Sequence, residues 1–354
     1  MPDARLSGAA LRPYSDAGLS RAGRVAPARF GLDQPCTLRG MDASVPLLSS
    51  FLPMQLLIAG ARRFGYASQA LEIFIRRMTS REKFAGLFAG YRPTEHDVFV
   101  TCFSKSGTNW AMQMAVQIAH RGDATFEHIH RIAAWPGCPF PGAVALEDPG
   151  PWQRSPTKLR VIKSAAPAQY VPYSPSAKYL CVARDPKEIL VSAYFFLTGS
   201  FGLRDHVTPA QWCALAMKPD AILSRWPEHM ASYWALRDRA NVRVLLYPEM
   251  KRDLAGTVEV VRELMGVELG EAERDEVIRR SGFAYMKGID SCFAPPRLSL
   301  LTGTSRGEMV RSGKAGKAAE FLAPELCQEI DERMLQGLAE RGSDFPYAEH
   351  FMAD

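Results

Sequence analysis

Asp97-Val-Phe-Val-Thr-Cys-Phe-Ser-Lys-Ser-Gly-Thr-Asn-Trp-Ala-Met-Gln-Met-Ala-Val-Gln-Ile-Ala-His120 reads as a strand, a polar loop and a helix in that order. Val98 to Phe103 is apolar, β-branched and aromatic over a strand's length, and Trp110 to Ala119 is apolar on nearly every face. Both elements are therefore expected inside an α/β core. The loop between them, Ser104 to Thr108, offers a cation, three hydroxyls and the free N–H groups of a helix start, a setting that favours a phosphate or sulfate. A Walker loop places its glycines upstream and its lysine just before a Ser or Thr at the helix start. Here Lys105 comes first and the lone Gly107 follows, so the segment reads as an anion loop not built around a magnesium-bound triphosphate.

Working outward, the same alternation of short apolar strands and helices continues. Leu159 to Lys163 and Lys178 to Arg184 read as buried strands, Asn241 to Tyr247 as another. Asp185-Pro186-Lys187-Glu188 has the form of a helix start, with Asp185 as cap, Pro186 in the first turn and Glu188 completing a capping box. Ser192 falls two turns along that helix while Arg184 closes the preceding strand, so a guanidinium fork and a hydroxyl can converge on one phosphate; pairing of Arg184 with Asp185 or Glu188 is the competing reading. Thr208 to Ala240 reads as two helices divided at Pro227, with Trp212, Trp226, Tyr233 and Trp234 more suited to core than to a ligand box, though candidates for an apolar acceptor pocket. Leu254 to Met265, Glu271 to Arg280 and Pro324 to Gly342 read as helices, the first stopped by Gly266. Strands alternating with helices imply one α/β domain with a central parallel sheet flanked by helices, built on a P-loop-like phosphate-binding strand–loop–helix.

Three divisions follow: 1–42 as a disordered arm, 43–90 as a helical extension, and 91–354 as the working domain. The arm is rich in Arg, Ala, Ser, Gly and Pro, a composition it shares with transit peptides, so a targeting role stays open. Ala43 to Ala61 carries no charge but is interrupted by Pro46 and Pro53, and reads as a buried or surface-lying amphipathic helix, with membrane contact through 43–61 the lesser reading. Tyr66 to Phe88 has helical apolar spacing at Leu71, Phe74, Ile75 and Met78 and is expected to pack against the domain. Trp135 to Trp152 is an irregular Pro/Gly-rich connection of the kind that lines pockets.

The 354 residues are 47% hydrophobic and 23% charged, with a net charge of +5 spread without any basic block, which argues against a nucleic-acid partner. The seven cysteines form no CxxC pair and read as reduced core thiols, pointing to a reducing, cytoplasmic setting. No metal-ligand spacing is present.

Three segments in order resemble the cytosolic-type sulfotransferases, which move a sulfuryl group from 3′-phosphoadenosine 5′-phosphosulfate (PAPS) to an acceptor hydroxyl or amine. Phe103 to Trp110 is similar to that family's Tyr-Pro-Lys-Ser-Gly-Thr-Thr-Trp loop, Val182 to Ser192 to its 3′-phosphate segment, and Arg311-Ser312-Gly313 with Gly316 to its late Arg-Lys-Gly-x-x-Gly turn. The resemblance implies that Lys105 stabilises charge on the bridging oxygen and that Ser106, Gly107, Thr108, Asn109 and Trp110 surround the 5′-phosphate and adenine. It assigns Arg184, Ser192 and Arg311, with Ser312 and Gly313, to the 3′-phosphate, and Tyr247, Ser281 and Phe283 to adenosine. Lys163 is expected as the second catalytic cation.

The departures are as informative. The family's Lys-Thr-His-x-Pro strand end is here Lys163-Ser164-Ala165-Ala166-Pro167, so Ala165 stands where the general base is expected. His130 and His128 are the nearest replacements in sequence, with Glu127 and Asp185 behind them; His130 is taken as the candidate base. Two functions follow: PAPS-dependent transfer to a small, partly apolar acceptor, or binding of PAPS and its product PAP with weak or lost transfer. An ATP-dependent P-loop kinase is a third, disfavoured by the loop order. Acceptor identity and oligomeric state are not legible.

Overall fold

The computed structural model describes residues 56–138, 142–294, 309–310 and 318–352. The expected arm 1–42, most of the 43–61 stretch, and the turn Arg311, Ser312, Gly313 and Gly316 lie outside the described residues.

Four strands form one parallel sheet: β1 (Asp97–Thr101), β2 (Arg160–Ser164), β3 (Lys178–Ala183) and β4 (Val242–Leu246), in the order β2-β1-β3-β4. β1 is central, pairing Val100 with Lys163 on one side and with Leu180 on the other. Alternate side chains divide between the faces, as a period of two requires. Val98, Val100, Leu180 and Val182 enter a core with helices α2 (Thr108–Ala119), α6 (Leu254–Met265) and α7 (Glu271–Ser281). On the opposite face Cys181 and Ala183 join a core with α3 (Pro186–Ser200), α4 (Pro209–Ala216), α5 (Trp226–Trp234) and α9 (Pro324–Ala339). Phe99, Ile162 and Tyr179 form a third cluster with Phe88 and Leu146.

The helical extension behaves as its spacing requires. Residues 56–64 are helical, and α1 (Ala67–Met78) buries Leu71 and Ile75 in the core that holds Trp212, packing on α4. Trp212, Trp226 and Tyr233 are core residues, each at most 1% exposed. Among the described residues no helix is long and apolar enough to cross a membrane.

Several local expectations are corrected. Asp185 does cap α3, its carboxylate accepting from the Lys187 N–H at 2.8 Å, but the capping box is absent. Glu188 instead faces Arg184 (3.4 Å) and accepts from the Ala318 N–H (3.1 Å), because tertiary partners outcompete the local one. The break between α4 and α5 precedes Pro227, which sits in the first turn of α5, where its missing N–H costs nothing. Tyr247 is not the end of a strand: Pro248 cannot extend the ladder, so Tyr247 opens a short helix, Tyr247–Arg252. Cys102, Cys138, Cys181, Cys213 and Cys327 form no disulfide, but Cys292 is disulfide-bonded, against the expectation of reduced cysteines throughout.

Candidate active site

In a sheet ordered β2-β1-β3-β4 the chain leaves β1 and β3 toward opposite faces, opening a crevice at their carboxyl ends. The loop after β1 meets the end of β3 there, and Arg184 donates from Nη1 to the Lys105 carbonyl at 2.8 Å. That bond holds Lys105 in a left-handed conformation (φ +67°). Gly107 follows at φ +97° and begins α2 with no side-chain cap. A Cβ on Gly107 would lie 3.0 Å from two Tyr247 ring atoms, so both the backbone angle and the close ring demand glycine. The first N–H groups of α2 therefore stay available to an anion.

A cavity of about 700 Å³ occupies the crevice. Lys105, Gly107, Thr108, Asn109, Trp110, Arg184, Ser192, Tyr247, Ser281 and Phe283 all line it, as do Lys163, Ala165, His128 and His130. The structure thus brings together the predicted residues on the described chain, with one exception: Ser106 is fully buried beneath the loop, its Oγ lacking a partner among the described residues. Trp110 donates from Nε1 to the Ser281 carbonyl (2.8 Å) and stands edge-on to Tyr247 at 5.6 Å, so α2, α7 and the Tyr247 helix form one aromatic corner. The Arg184 guanidinium stacks 4.3 Å from the Tyr247 ring centroid. The competing surface-pair reading of Arg184 is only partly met, since the contact to Glu188 is 3.4 Å and Nε is buried without a partner among the described residues.

At the other end Lys163 is half-buried, and its desolvation lowers its pKa from 10.5 to about 8. Its ammonium lies 3.4 Å from the Trp135 ring centroid, so the irregular Trp135 segment does wall the pocket. Lys105 Nζ lies 3.9 Å from the Phe196 ring centroid. His130 is held well below the usual imidazole range by burial first, then by the charge of Lys163. Its Nδ1 faces the Ala133 carbonyl at 3.2 Å and so carries the proton, leaving Nε2 as the lone-pair nitrogen. His128 has no such freedom: Nδ1 accepts from the His130 N–H and Nε2 donates to the Ala294 carbonyl. Asp185 is spent as a helix cap.

The aromatics after Tyr194 suggest an apolar pocket, but sequence reasoning missed the α1 side of its wall. Phe74, Ile75 and Met78 of α1 line the cavity with Phe195, Phe196 and Phe201, Phe74 standing edge-on to Phe201 at 4.8 Å. Helical spacing marked the α1 residues as apolar, but periodicity cannot tell a core contact from a pocket wall. Among the described residues no cluster of three or more metal-ligating side chains occurs.

A family model described as the sulfotransferase domain matches residues 95–342. Sulfotransferase 2B1 of Mus musculus is 27% identical over 228 residues, covering 63% of this chain and 65% of that protein. The 3-alpha-hydroxysteroid sulfotransferase of Cavia porcellus is 30% identical over 199 residues, 54% of this chain and 67% of that one. This chain thus spans about 65% of the length of the first curated relatives it matches. In fold it is similar to retinol dehydratase in complex with androsterone and PAP, at TM-score 0.60 and 19% identity, covering 76% of this chain and 87% of the other. A mouse sulfotransferase complexed with PAP gives TM-score 0.55 at 22% identity over 76% and 92% of the two chains. With the matched span running from the first residues of the sheet to the end of α9, and the anion loop at its start, the chain belongs to the sulfotransferase-domain family.

Proposed function

We propose that this protein is a PAPS-dependent sulfotransferase acting on a hydroxyl or amine of a small, partly apolar acceptor. The observation that carries the reading is one cavity holding two lysines, Lys105 and Lys163, between an anion cradle and an apolar wall. The residues fit the donor: Arg184 Nε and Ser281 Oγ are buried on the cavity wall without partners among the described residues, and α2 starts uncapped. Arg184 and Ser192 would hold the 3′-phosphate together with Arg311, Ser312 and Gly313, while Tyr247, Trp110, Ser281 and Phe283 would enclose adenosine. PAPS, when bound, supplies a sulfuryl group on a phosphosulfate anhydride.

The chain's own work is positioning and charge neutralisation. Lys105 would neutralise the charge that transfer leaves on the phosphate oxygen, and Lys163 would attract the equatorial oxygens of the sulfuryl group. His130 Nε2 takes the acceptor's proton; being neutral before reaction, it needs no prior deprotonation. Replacing His130 with alanine is expected to lower kcat about 10²-fold, read by radiolabelled sulfuryl transfer. An unchanged rate would remove His130 from the mechanism. The working unit is 91–354, with 43–90 supplying the α1 wall.

Calorimetric titration with PAP, beside ADP and ATP-magnesium, tests the donor site without knowledge of the acceptor. Tight binding of PAP alone is expected, weakened about 10²-fold in Arg184→Ala, since losing a buried charge partner strands the phosphate. Failure of PAP to bind would discard the reading. PAP binding with no transfer to any acceptor would favour the second reading, a binding protein with lost activity, for which Ala165 on the cavity wall is the specific observation.

The Lys163 ammonium sets an upper pH limit. A lysine whose pKa is lowered to about 8 is charged below that value, so kcat/KM for an unionisable alcohol acceptor should fall as pH rises through about 8. This parameter reports the free enzyme. Bound PAPS adds negative charge nearby, so the corresponding limb in kcat should lie at higher pH. A profile flat to pH 9.5 in both would contradict a catalytic Lys163.

A further inference from the structure

A second cavity of about 100 Å³ abuts the first, and Met78, Thr79, Ser104, Trp135 and Ala165 lie on the walls of both. His229, Arg225 and Lys83 line it as well. His229 is 1% exposed, and neither ring nitrogen has a hydrogen-bond partner among the described residues. Its ring is fixed by edge-on contact with Phe103 at 5.6 Å and by Tyr233 at 5.0 Å. Buried polar atoms without partners are rare in native proteins, and a ring with two of them on a cavity wall awaits a polar guest. Burial drops the His229 pKa to about 3, so the neutral ring presents one N–H donor and one lone pair. Of the chamber's two cations, Arg225 pairs with Asp220 at 3.0 Å and Glu228 at 3.5 Å, and the Lys83 ammonium lies 3.2 Å from Met78 Sδ. A neutral group that both donates and accepts, a hydroxyl, matches the donor and the lone pair of the His229 ring.

We propose that this chamber is an acceptor subsite for a second hydroxyl on the carbon next to the reacting one, so that vicinal diols and catechols are the preferred acceptors. The proposal rests on the transferase reading above. Ala165 is the mouth: it follows Lys163 by two residues at the end of β2, and its methyl group leaves room that a larger side chain would fill. A hydroxyl on the adjacent carbon lies within hydrogen-bond reach of the reacting oxygen. Seated in the chamber, it accepts from the His229 ring N–H and donates to that oxygen, stabilising the charge that grows there as its proton passes to His130. The acceptor thereby brings part of the assistance that a base at position 165 would have given.

The test is kcat/KM with the full chain and PAPS for two matched pairs, catechol against phenol and cis-1,2-cyclohexanediol against cyclohexanol. The alcohol pair separates binding from the greater acidity of catechol. The dihydroxy member is expected to be preferred at least about 10-fold in both pairs, one hydrogen bond's worth of discrimination. The ratio should approach one in His229→Phe, which keeps ring shape without the nitrogens. Because His229 sits in the core, Ala165→Val at the mouth is the second variant and should collapse the ratio likewise, with parent-like circular dichroism and PAP affinity. Equal rates within each pair, or a preference that persists in both variants, would overturn the subsite and leave a water-filled void. Absence of transfer to all four compounds, with PAP still bound, would instead overturn the transferase reading and the subsite with it.

Discussion

Lys105→Ala is expected to reduce sulfuryl transfer about 10³-fold, the scale seen when a preorganised charge at a leaving group is removed. The fold should not notice. Lys105 sits at φ +67°, a left-handed conformation costing any non-glycine residue on the order of 1 kcal/mol, and alanine bears the same cost as lysine. The Arg184 bond to the Lys105 carbonyl is a backbone contact and survives the substitution. The ammonium that is lost lies against Phe196 at the junction of the anion loop and the apolar wall, where an acceptor and a donor would meet. The checking measurement is single-turnover transfer beside PAP affinity and thermal melting. A 10³-fold loss of rate with PAP affinity changed less than about tenfold and Tm within about 2 °C would place the charge in the transition state. A loss confined to PAP binding would make Lys105 a binding residue only.

Ala165→His is expected to act in the opposite direction, raising kcat for a simple alcohol acceptor about 10²-fold, within the usual range for a positioned base. Position 165 faces the cavity beside Lys163 and the mouth of the smaller chamber, so an imidazole there has both a reacting proton in reach and space to stand in. The same substitution should erase the preference for dihydroxy acceptors, because it fills the mouth. A properly folded Ala165→His protein with native PAP affinity and no gain in kcat would mean that proton removal does not limit the reaction. In that case the position 165 base is dispensable here, and His130 or the acceptor itself suffices.

How far the sequence could be read depended on the range of the interactions. Strand–loop–helix order around Lys105, the buried strands ending at Lys163 and Arg184, and the helix stopped by Gly266 were legible because apolar period, helix caps and glycine backbone freedom act within a few residues. The errors came where distant groups decide. The Asp185–Glu188 capping box lost Glu188 to Arg184 and Ala318, the latter a contact across 130 positions. A strand ending at Tyr247 is the exception, a local misreading, because the proline next to it closes the ladder. The site residues were named from the resemblance, while their convergence on one cavity is a matter of strand order.

By itself the sequence determined the fold class, the strand–loop–helix around Lys105, the alanine where the family carries a base, and the apolar stripe of α1. These are properties of composition and short spacing. Only the tertiary structure decided which helix walls the pocket, that His128 has both nitrogens committed while His130 keeps one lone pair, and that a buried His229 stands behind Ala165. The physical reason is common to all three. A side chain's protonation, partners and exposure are set by groups brought near by packing: residues 74, 130 and 165 line one cavity, and 165 and 229 its smaller neighbour, because β1 and β3 open a crevice.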